Sequence, residues 1–194
     1  MKKNKYLASL ILSAALTASF LTSCTASPAA KETTAQETTA QETAAAADVS
    51  LDDILSTIKE AYKDNYMPDS PIDSQVLNDV MGISPELCES YVAEMPMIST
   101  FVETFIGVKA KEGKGADVEK ALTEYREYLL NDTMQYPMNV SKIQASQVIR
   151  HGDYVFFVML GGPDDDAMEK GDEAALKSAE ENNQIAVDII NGFF

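Results

Sequence analysis

Apolar side chains recur three or four positions apart in three long stretches of the chain, which is the spacing of one helical face. The first stretch follows Ser50, which with Asp53 resembles a capping box, and predicts a helix over about 51–66. The second predicts a helix over about 116–134, and an alanine-rich third predicts one over about 168–191. The predicted core face of the last helix consists of Ala175, Ile185, Val187, Ile189 and Ile190.

Two shorter helices are predicted between the first two long ones. One covers about 74–81 and ends at Gly82. The next begins at Ser84-Pro85-Glu86, which combines a capping residue, a first-turn proline and an early acidic residue. We expect this helix to run to about Ala93, before Pro96.

Runs of branched and aromatic residues predict the strands. Over 98–110 such residues alternate along the chain, which favours one long strand. Two further runs, 143–150 and 154–160, flank His151-Gly152-Asp153, which is a strong hairpin signal. Because the run 154–160 is apolar on both faces, it is predicted to be a central strand that is covered on each side.

These elements predict the fold class. Helices and strands are mixed without a regular β-α-β alternation, so the fold is α+β rather than doubly wound. We expect a small, mostly antiparallel sheet of about three strands, including the hairpin in the C-terminal half, packed with four to five helices. Residues 50–194 have the length of one ordinary domain, and no second linker interrupts them.

The N-terminal segment has the pattern of a bacterial lipoprotein leader. Three lysines precede an apolar run over 6–21, which is too short to cross a bilayer because a spanning helix needs roughly 20 apolar residues. The run ends in Leu21-Thr22-Ser23-Cys24, a lipobox in which the cysteine receives the lipid. We therefore expect residues 1–23 to be a signal peptide and Cys24 to anchor the protein on the outer face of the cell membrane.

Residues 24–49 are predicted to be the acylated cysteine and a disordered tether. The sequence ETTAQ occurs twice in succession from residue 32, and no aromatic or branched aliphatic residue lies between Thr25 and Asp48. Such a segment has nothing to bury against the entropy of ordering. A flexible chain of this length spans about 25–30 Å. A spacer is the simplest interpretation, with a recognition tag or a glycosylated stalk as alternatives.

The net charge narrows the choice of partners. The chain has 15 basic and 31 acidic side chains, and the predicted leader removes three lysines and no acids. A surface this acidic argues against binding nucleic acid and favours cations or basic partners. Solubility alone would also account for the charge.

Four segments resemble a family of small bacterial lipoproteins. They are YVAEMPM (91–97), FIGVKAKEG (105–113), QYPM (135–138) and QVIRHGDYVF (147–156). The family is known only as a domain of unknown function, number 4358 of that series. The resemblance implies an extracytoplasmic lipoprotein, and it brings no activity, cofactor or catalytic residue to this chain.

The residues available for catalysis are few. His151 is the only histidine, and Cys88 is the only cysteine left once Cys24 is acylated, so no internal disulfide is expected. A thiol dyad of Cys88 and His151 is a weak catalytic hypothesis, since such partners meet only in the fold. The predicted helix after Ser84 would place Cys88 in its first turns, where the helix dipole lowers a thiol pKa. A buried, unreactive thiol is the commoner situation.

The densest acidic cluster is Asp164, Asp165 and Asp166, with Glu169 and Asp172 close behind. Together they are a weak candidate for a calcium site, but the ligand spacing and the glycine of an EF-hand are absent. Carboxylates are favourable near a helix N-terminus in any case. We therefore expect a solvated loop that caps the last helix.

A further candidate is the loop over 135–139, where Tyr136 and Met138 stand in place of the usual polar residues. If exposed, the two side chains would form a contact surface for a peptide or a partner protein. The alternative is that they fold back and cover the sheet.

Two classes of function are consistent with these patterns. Phosphate-loop, dinucleotide-binding and nucleophile-elbow patterns are absent, so we predict no cofactor and a non-enzymatic module that binds a ligand, a peptide or a protein. The alternative is a small cell-envelope hydrolase or wall-modifying enzyme that uses Cys88 or acidic residues.

The lipid anchor can be tested by changing one residue. Cys24→Ala removes the acylated sulfur, so we expect the protein to be released from membranes. Membrane and soluble fractions compared after a salt wash would show this. Thr22→Ser keeps a small residue in the lipobox and should leave the protein bound. Retention of the Cys24→Ala protein in membranes would exclude the predicted anchor.

Overall fold

The computed structural model describes residues 48–132 and 134–194. The predicted signal peptide, Cys24 and the tether up to residue 47 lie outside the described residues. The described elements, in chain order, are α1 (Leu51–Tyr62), β1 (Ser70–Pro71), α2 (Ser74–Asp79), β2 (Cys88–Met95), β3 (Thr104–Ala110), α3 (Gly115–Asn131), α4 (Pro137–Ala145), β4 (Gln147–His151), β5 (Tyr154–Met159), α5 (Asp165–Glu169) and α6 (Asp172–Asn191).

The fold is α+β, as predicted. One antiparallel sheet has the strand order β1-β2-β3-β5-β4. It has five strands rather than about three, because β1 and β2 were not expected. Within the described residues, no helix is both long enough and apolar enough to cross a membrane.

The hairpin and its central strand are confirmed. β4 and β5 pair from His151 and Tyr154 onward, and Gly152 takes the left-handed conformation (φ 61°) in the two-residue turn. All six residues of β5 are buried, and the strand lies between β3 and β4.

The side chains of β5 alternate between two apolar cores. Val155, Phe157 and Met159 enter the core that α2, α3 and α4 cover. Tyr154, Phe156 and Val158 enter the core that α1 and α6 cover. Each fully buried phenylalanine stabilises the fold by roughly 1.5–3 kcal/mol through loss of apolar surface from water.

The first helices agree with the predicted signals. α1 begins after Ser50, whose Oγ accepts a hydrogen bond from the backbone N–H of Asp53 at 3.2 Å, and a 3₁₀ turn over Lys63–Asn65 comes directly after it. α2 begins after Asp73, whose carboxylate accepts from the N–H of Val76 at 2.9 Å. The predicted helix over 116–134 is α3.

The helix predicted after Ser84 is wrong. The Ser84-Pro85-Glu86 signals close only a turn, in which the N–H of Leu87 donates to the carbonyl of Ser84 at 2.9 Å. The chain then enters β2, which pairs with β3 from Cys88 opposite Ala110 to Glu94 opposite Phe105. Pairing with a buried strand outweighs the local helix signals, since the branched and aromatic residues of β2 also suit a sheet.

Two strand boundaries also differ from prediction. The strand expected over 98–110 begins only at Thr104, and it does not alternate, because both of its faces are buried and only Lys109 partly reaches solvent. The strand expected from Ile143 begins at Gln147. Ile143 belongs instead to α4, a helix that was not predicted.

The single helix predicted over about 168–191 is replaced in the structure by two helices, α5 and α6. Gly171, with a positive φ of 102°, separates α5 from α6. Of the predicted core residues, Val187 and Ile190 are buried and Ile185 is exposed. The buried face of α6 includes Ser178 and Asn183, whose polar groups were overlooked. Both side chains bond to residues that come after β5 in the chain.

The hairpin turn is joined to the start of α3 by one carboxylate. Asp153 accepts hydrogen bonds from the backbone N–H groups of Gly113 and Gly115, both at 2.9 Å. These two donors hold the pKa of Asp153 below its usual value. A lowered folded-state pKa means that the ionised carboxylate stabilises the fold above pH 3.8, and that this contribution disappears as the pH falls through the folded-state value.

Asp153→Asn should therefore destabilise the domain in a pH-dependent way. We expect a loss of about 1 kcal/mol at pH 7, because the charged acceptor is lost while solvent screens the site. The difference from the unchanged protein should shrink below pH 3.8. Urea unfolding at several pH values measures this. If the difference in unfolding free energy between the two proteins stayed constant down to the most acidic pH, the charge of Asp153 would not be its cause.

Candidate functional site

Several large apolar side chains that precede or belong to α4 face solvent. Met134 is 87 % exposed, Tyr136 is 54 % exposed and Met138 is 50 % exposed. Of the two possibilities for the Tyr136 loop, the structure has the exposed one. Val140 in α4 and Met168 in α5 are also exposed.

The helical period of α4 explains this exposure. Asn139, Lys142 and Ile143 point into the protein and are buried. Positions 138 and 141 therefore lie on the opposite side of the helix. Pro137 starts the helix at its first position, where a missing N–H has no cost.

The outer side of α4 forms one wall of a groove of about 390 Å³. α5 and the first turn of α6 form the other wall. We call this the α4 groove, and it is lined by Pro137, Met138, Val140, Ser141, Gln144, Pro163, Met168, Asp172 and Ala175. Most of these side chains are apolar, with Ser141, Gln144 and Asp172 as the polar exceptions.

A buried ion pair lies on the inner side of α4. Lys142 Nζ is 2.5 Å from Glu103 Oε1, and the two residues are 8 % and 3 % exposed. The second carboxylate oxygen of Glu103 accepts from the N–H of Val102 at 3.1 Å. The ammonium group also lies 5.8 Å from the ring centre of Phe101. The segment before β3 is thereby joined to α4.

A second polar contact joins the same two segments. Asn139 is fully buried, and its Nδ2 donates to the carbonyl oxygen of Thr100 at 2.9 Å. Its Oδ1 is buried without a hydrogen-bond partner among the described residues. Together with the ion pair, this contact sets the position of α4 and hence the shape of the groove.

Asn183 connects the far end of α4 to α6 and β5. Its Oδ1 accepts from the N–H of Leu160 at 2.8 Å, and its Nδ2 donates to the carbonyl of Ala145 at 3.0 Å. Two positions beyond Leu160 is Gly162, where a Cβ would lie 2.9 Å from Lys142 Cε. A side chain at position 162 would therefore displace the end of the Lys142 side chain.

A separate cavity of about 390 Å³ lies beside Gly161. Tyr62 forms part of its wall and donates to the carbonyl of Asn182 at 2.5 Å. Burial raises the pKa of Tyr62 to about 12, so this hydroxyl stays protonated at neutral pH. Asp164 and Asp165 also line the cavity, and neither a cysteine nor a histidine does.

The acidic cluster starts α5 rather than capping α6 directly. Asp164 precedes α5, and its Oδ2 accepts from the Ser178 hydroxyl at 3.1 Å. Its backbone N–H donates to the same hydroxyl oxygen at 3.1 Å. Asp165 and Asp166 occupy the first turn of α5. Within the described residues, no group of three or more His, Cys, Asp or Glu side chains could hold a metal ion.

The hypothetical thiol dyad is not assembled. Cys88 begins β2 and His151 ends β4, so β3 and β5 lie between them, a distance of about 14 Å at ~4.8 Å per strand. They also lie on opposite faces of the sheet. Cys88 packs against the core under α2 and α3, whereas the His151 ring stacks on Phe194 at 4.4 Å, beside the residues that face α1 and α6.

The predicted placement of Cys88 in the first turns of a helix is wrong. The residue is not in a helix, so no helix dipole acts on its thiol. Partial burial raises the pKa of Cys88, more than the nearby Lys111 lowers it. Its Sγ lies 3.7 Å from the carbonyl of Ser84. The thiol is therefore in its unreactive, protonated form at neutral pH.

Glu103 and Lys142 were overlooked in the sequence. A signal was present for Glu103, because it is a single carboxylate inside the apolar run FVETFI (101–106). A carboxylate in such a position requires a partner if the run is buried. The identity of that partner was not predictable, since 39 positions separate the two residues.

Comparison with known proteins gives one family. The model of the family described as "Domain of unknown function (DUF4358)" matches residues 61–160. The match includes the whole sheet and α4, and it ends before α5 and α6. No curated protein and no solved structure matches the chain.

The buried ion pair can be tested by removing one partner or both. Lys142→Met leaves the Glu103 carboxylate buried without a counter-charge, and should destabilise the domain by about 3–5 kcal/mol. The double variant Glu103→Leu with Lys142→Met removes both charges and should be much closer to the unchanged protein. Urea unfolding followed by circular dichroism measures both. A single variant as stable as the double one would show that the pair is not buried in solution.

Proposed function

The chain belongs to the DUF4358 family, and from that premise we propose that it is a lipid-anchored, extracytoplasmic binding module. The α4 groove holds an apolar segment of a peptide or a partner protein. The observation that carries this proposal is the exposure of Met134, Tyr136 and Met138 in the segment that leads into α4, where Met138 lines a groove together with Met168. Such a group of apolar side chains on a surface marks an interaction site, whereas scattered ones do not.

The side chains at the site suit an apolar protein surface. Methionine is unbranched and polarizable, so three methionines can adapt to the shape of an apolar partner. Tyr136 adds a rigid aromatic ring of the type that is enriched in interfaces.

The position of the groove in the domain supports this assignment. The described chain begins at Asp48, which accepts from Tyr154 Oη at 3.0 Å and pairs with Lys109 Nζ at 2.8 Å. Tyr154 starts β5, and the groove lies beyond the other end of that strand. The six residues of β5 separate the two ends by roughly 17–20 Å. A tether from Cys24 would therefore attach at the end opposite the groove.

The alternative of an envelope hydrolase has less support. It depended on Cys88 with His151 or on acidic residues. The cysteine and the histidine lie on opposite faces of the sheet. The carboxylate of Asp164 accepts a hydrogen bond from the Ser178 hydroxyl. Binding is therefore the function that we propose.

Site-specific photo-crosslinking in intact cells tests the proposal. A photoreactive residue at Met138 should form a discrete adduct, whereas the same residue at Glu124, on the solvent side of α3, should not. Met168→Asp places a charge in the groove, and should weaken the adduct by about tenfold or more because the charge is desolvated on binding. Equal adducts from both positions, or none from Met138, would contradict the proposed function.

A further inference from the structure

The rim of the α4 groove on the α5 and α6 side is strongly acidic. Between residues 163 and 173 there are six acidic side chains and one lysine. Asp172 lines the groove, whereas Asp166 and Glu169 lie in α5, two positions before and one position after the lining residue Met168 in the chain. All three acidic residues are exposed.

Asp166, Glu169 and Asp172 form no salt bridge within the part of the chain that the structure describes. The salt bridges there involve other acidic residues, such as Glu119 with Arg150 and Glu181 with Lys177. None of them includes Asp166, Glu169 or Asp172. Lys170 is the one basic residue within 163–173, so this segment keeps an excess of five negative charges (six acidic residues minus one lysine) beside the groove.

The opposite wall adds no positive charge. Ser141 and Gln144 on the outer side of α4 are neutral. The lysine of α4, Lys142, points to the inner side, where it is buried and paired with Glu103. The groove thus combines an apolar surface with negative charge on one side and no positive charge on the other.

The walls of the groove also restrict the conformation of its occupant. They are formed by α4, α5 and α6, whose backbone groups are bonded within the helices. The groove offers no free strand edge to an extended peptide, whereas a helix satisfies its own backbone groups internally. α4 has nine residues and is about 14 Å long at 1.5 Å per residue, so a helix lying beside it contacts with positions i, i+3, i+4 and i+7.

We propose that the occupant is a cationic amphipathic helix, and this inference rests on the proposed function of the groove. The apolar stripe of the helix lies against Met138 and Met168. Lysine or arginine side chains at the border of the stripe lie near Asp172 and within the field of the other acidic residues of α5 and α6. The basic side chains supply the charge that the rim lacks, and they select against acidic partners.

Synthetic peptides of about 14 residues test this directly. The first has leucine at i, i+3, i+4 and i+7 and lysine elsewhere; the second and third carry glutamate or glutamine in place of the lysines. A fourth has the composition of the first in an order without a stripe. Binding to the mature, lipidated protein in detergent is measured by calorimetry at low and high salt.

We expect the lysine peptide to bind at least about tenfold more tightly than the glutamate peptide. Its binding should weaken as the salt concentration rises. The variant with Asp166→Asn, Glu169→Gln and Asp172→Asn should lose most of this difference. A matched control with Glu112→Gln, Glu124→Gln and Glu127→Gln removes three exposed charges elsewhere and should retain it.

The possible failures of the two proposals are distinguishable. If the glutamine peptide binds as tightly as the lysine peptide, and Met138→Asp abolishes both, the groove is a binding site but the inferred charge selection is wrong. If the lysine peptide without a stripe binds equally well, or the control variant loses binding too, the interaction is only general charge attraction and the inference is overturned.

If Met138→Asp changes nothing, the groove is not the site and the proposed function also fails. Dimers in sedimentation that Met138→Asp dissolves would identify the occupant as a second copy and overturn the inference.

Discussion

A strand that is apolar on both faces is the constraint on which the rest of this domain depends. β5 has no side that can face water, so each face requires its own layer of helices. Alternate side chains along β5 enter two separate cores, one under α2, α3 and α4 and one under α1 and α6. β3 is buried in the same way, and β2 covers the edge that β3 would otherwise expose.

The end of β5 that leads to α5 is held by polar groups as well as by the two cores. Asn183 bonds to the chain leaving β5 and to the end of α4, and the Glu103–Lys142 pair joins α4 to the segment before β3. Burying two charges is costly, and removing one partner of such a pair is costlier still, because it leaves the other charge buried and uncompensated. Here they occupy the inner side of α4, which leaves its apolar outer side beside Met168 without a covering element among the described residues.

The elements that were predicted correctly are those whose signals are local. Ser50 and the apolar period after it define α1, and Gly152 defines the hairpin turn. The wrong predictions concern segments with two competing signals. The helix cap at Ser84 is real as a turn, but pairing with β3 makes the next residues a strand. α4 was overlooked because its apolar residues are divided between the core and the groove, so it lacks a single apolar stripe.

The candidate site was predictable only in part. The sequence by itself indicated that Tyr136 and Met138 were unusual for the loop predicted there, that β5 needed covering on both sides, and that the chain resembled the DUF4358 family; Met138 in fact belongs to α4. Only the tertiary structure decided that these side chains face outward next to Met168, and that Cys88 and His151 lie on opposite faces of the sheet. The physical reason is that spacing along the chain specifies which residues share a face, whereas contacts between residues distant in sequence decide which faces are buried and which remain in water.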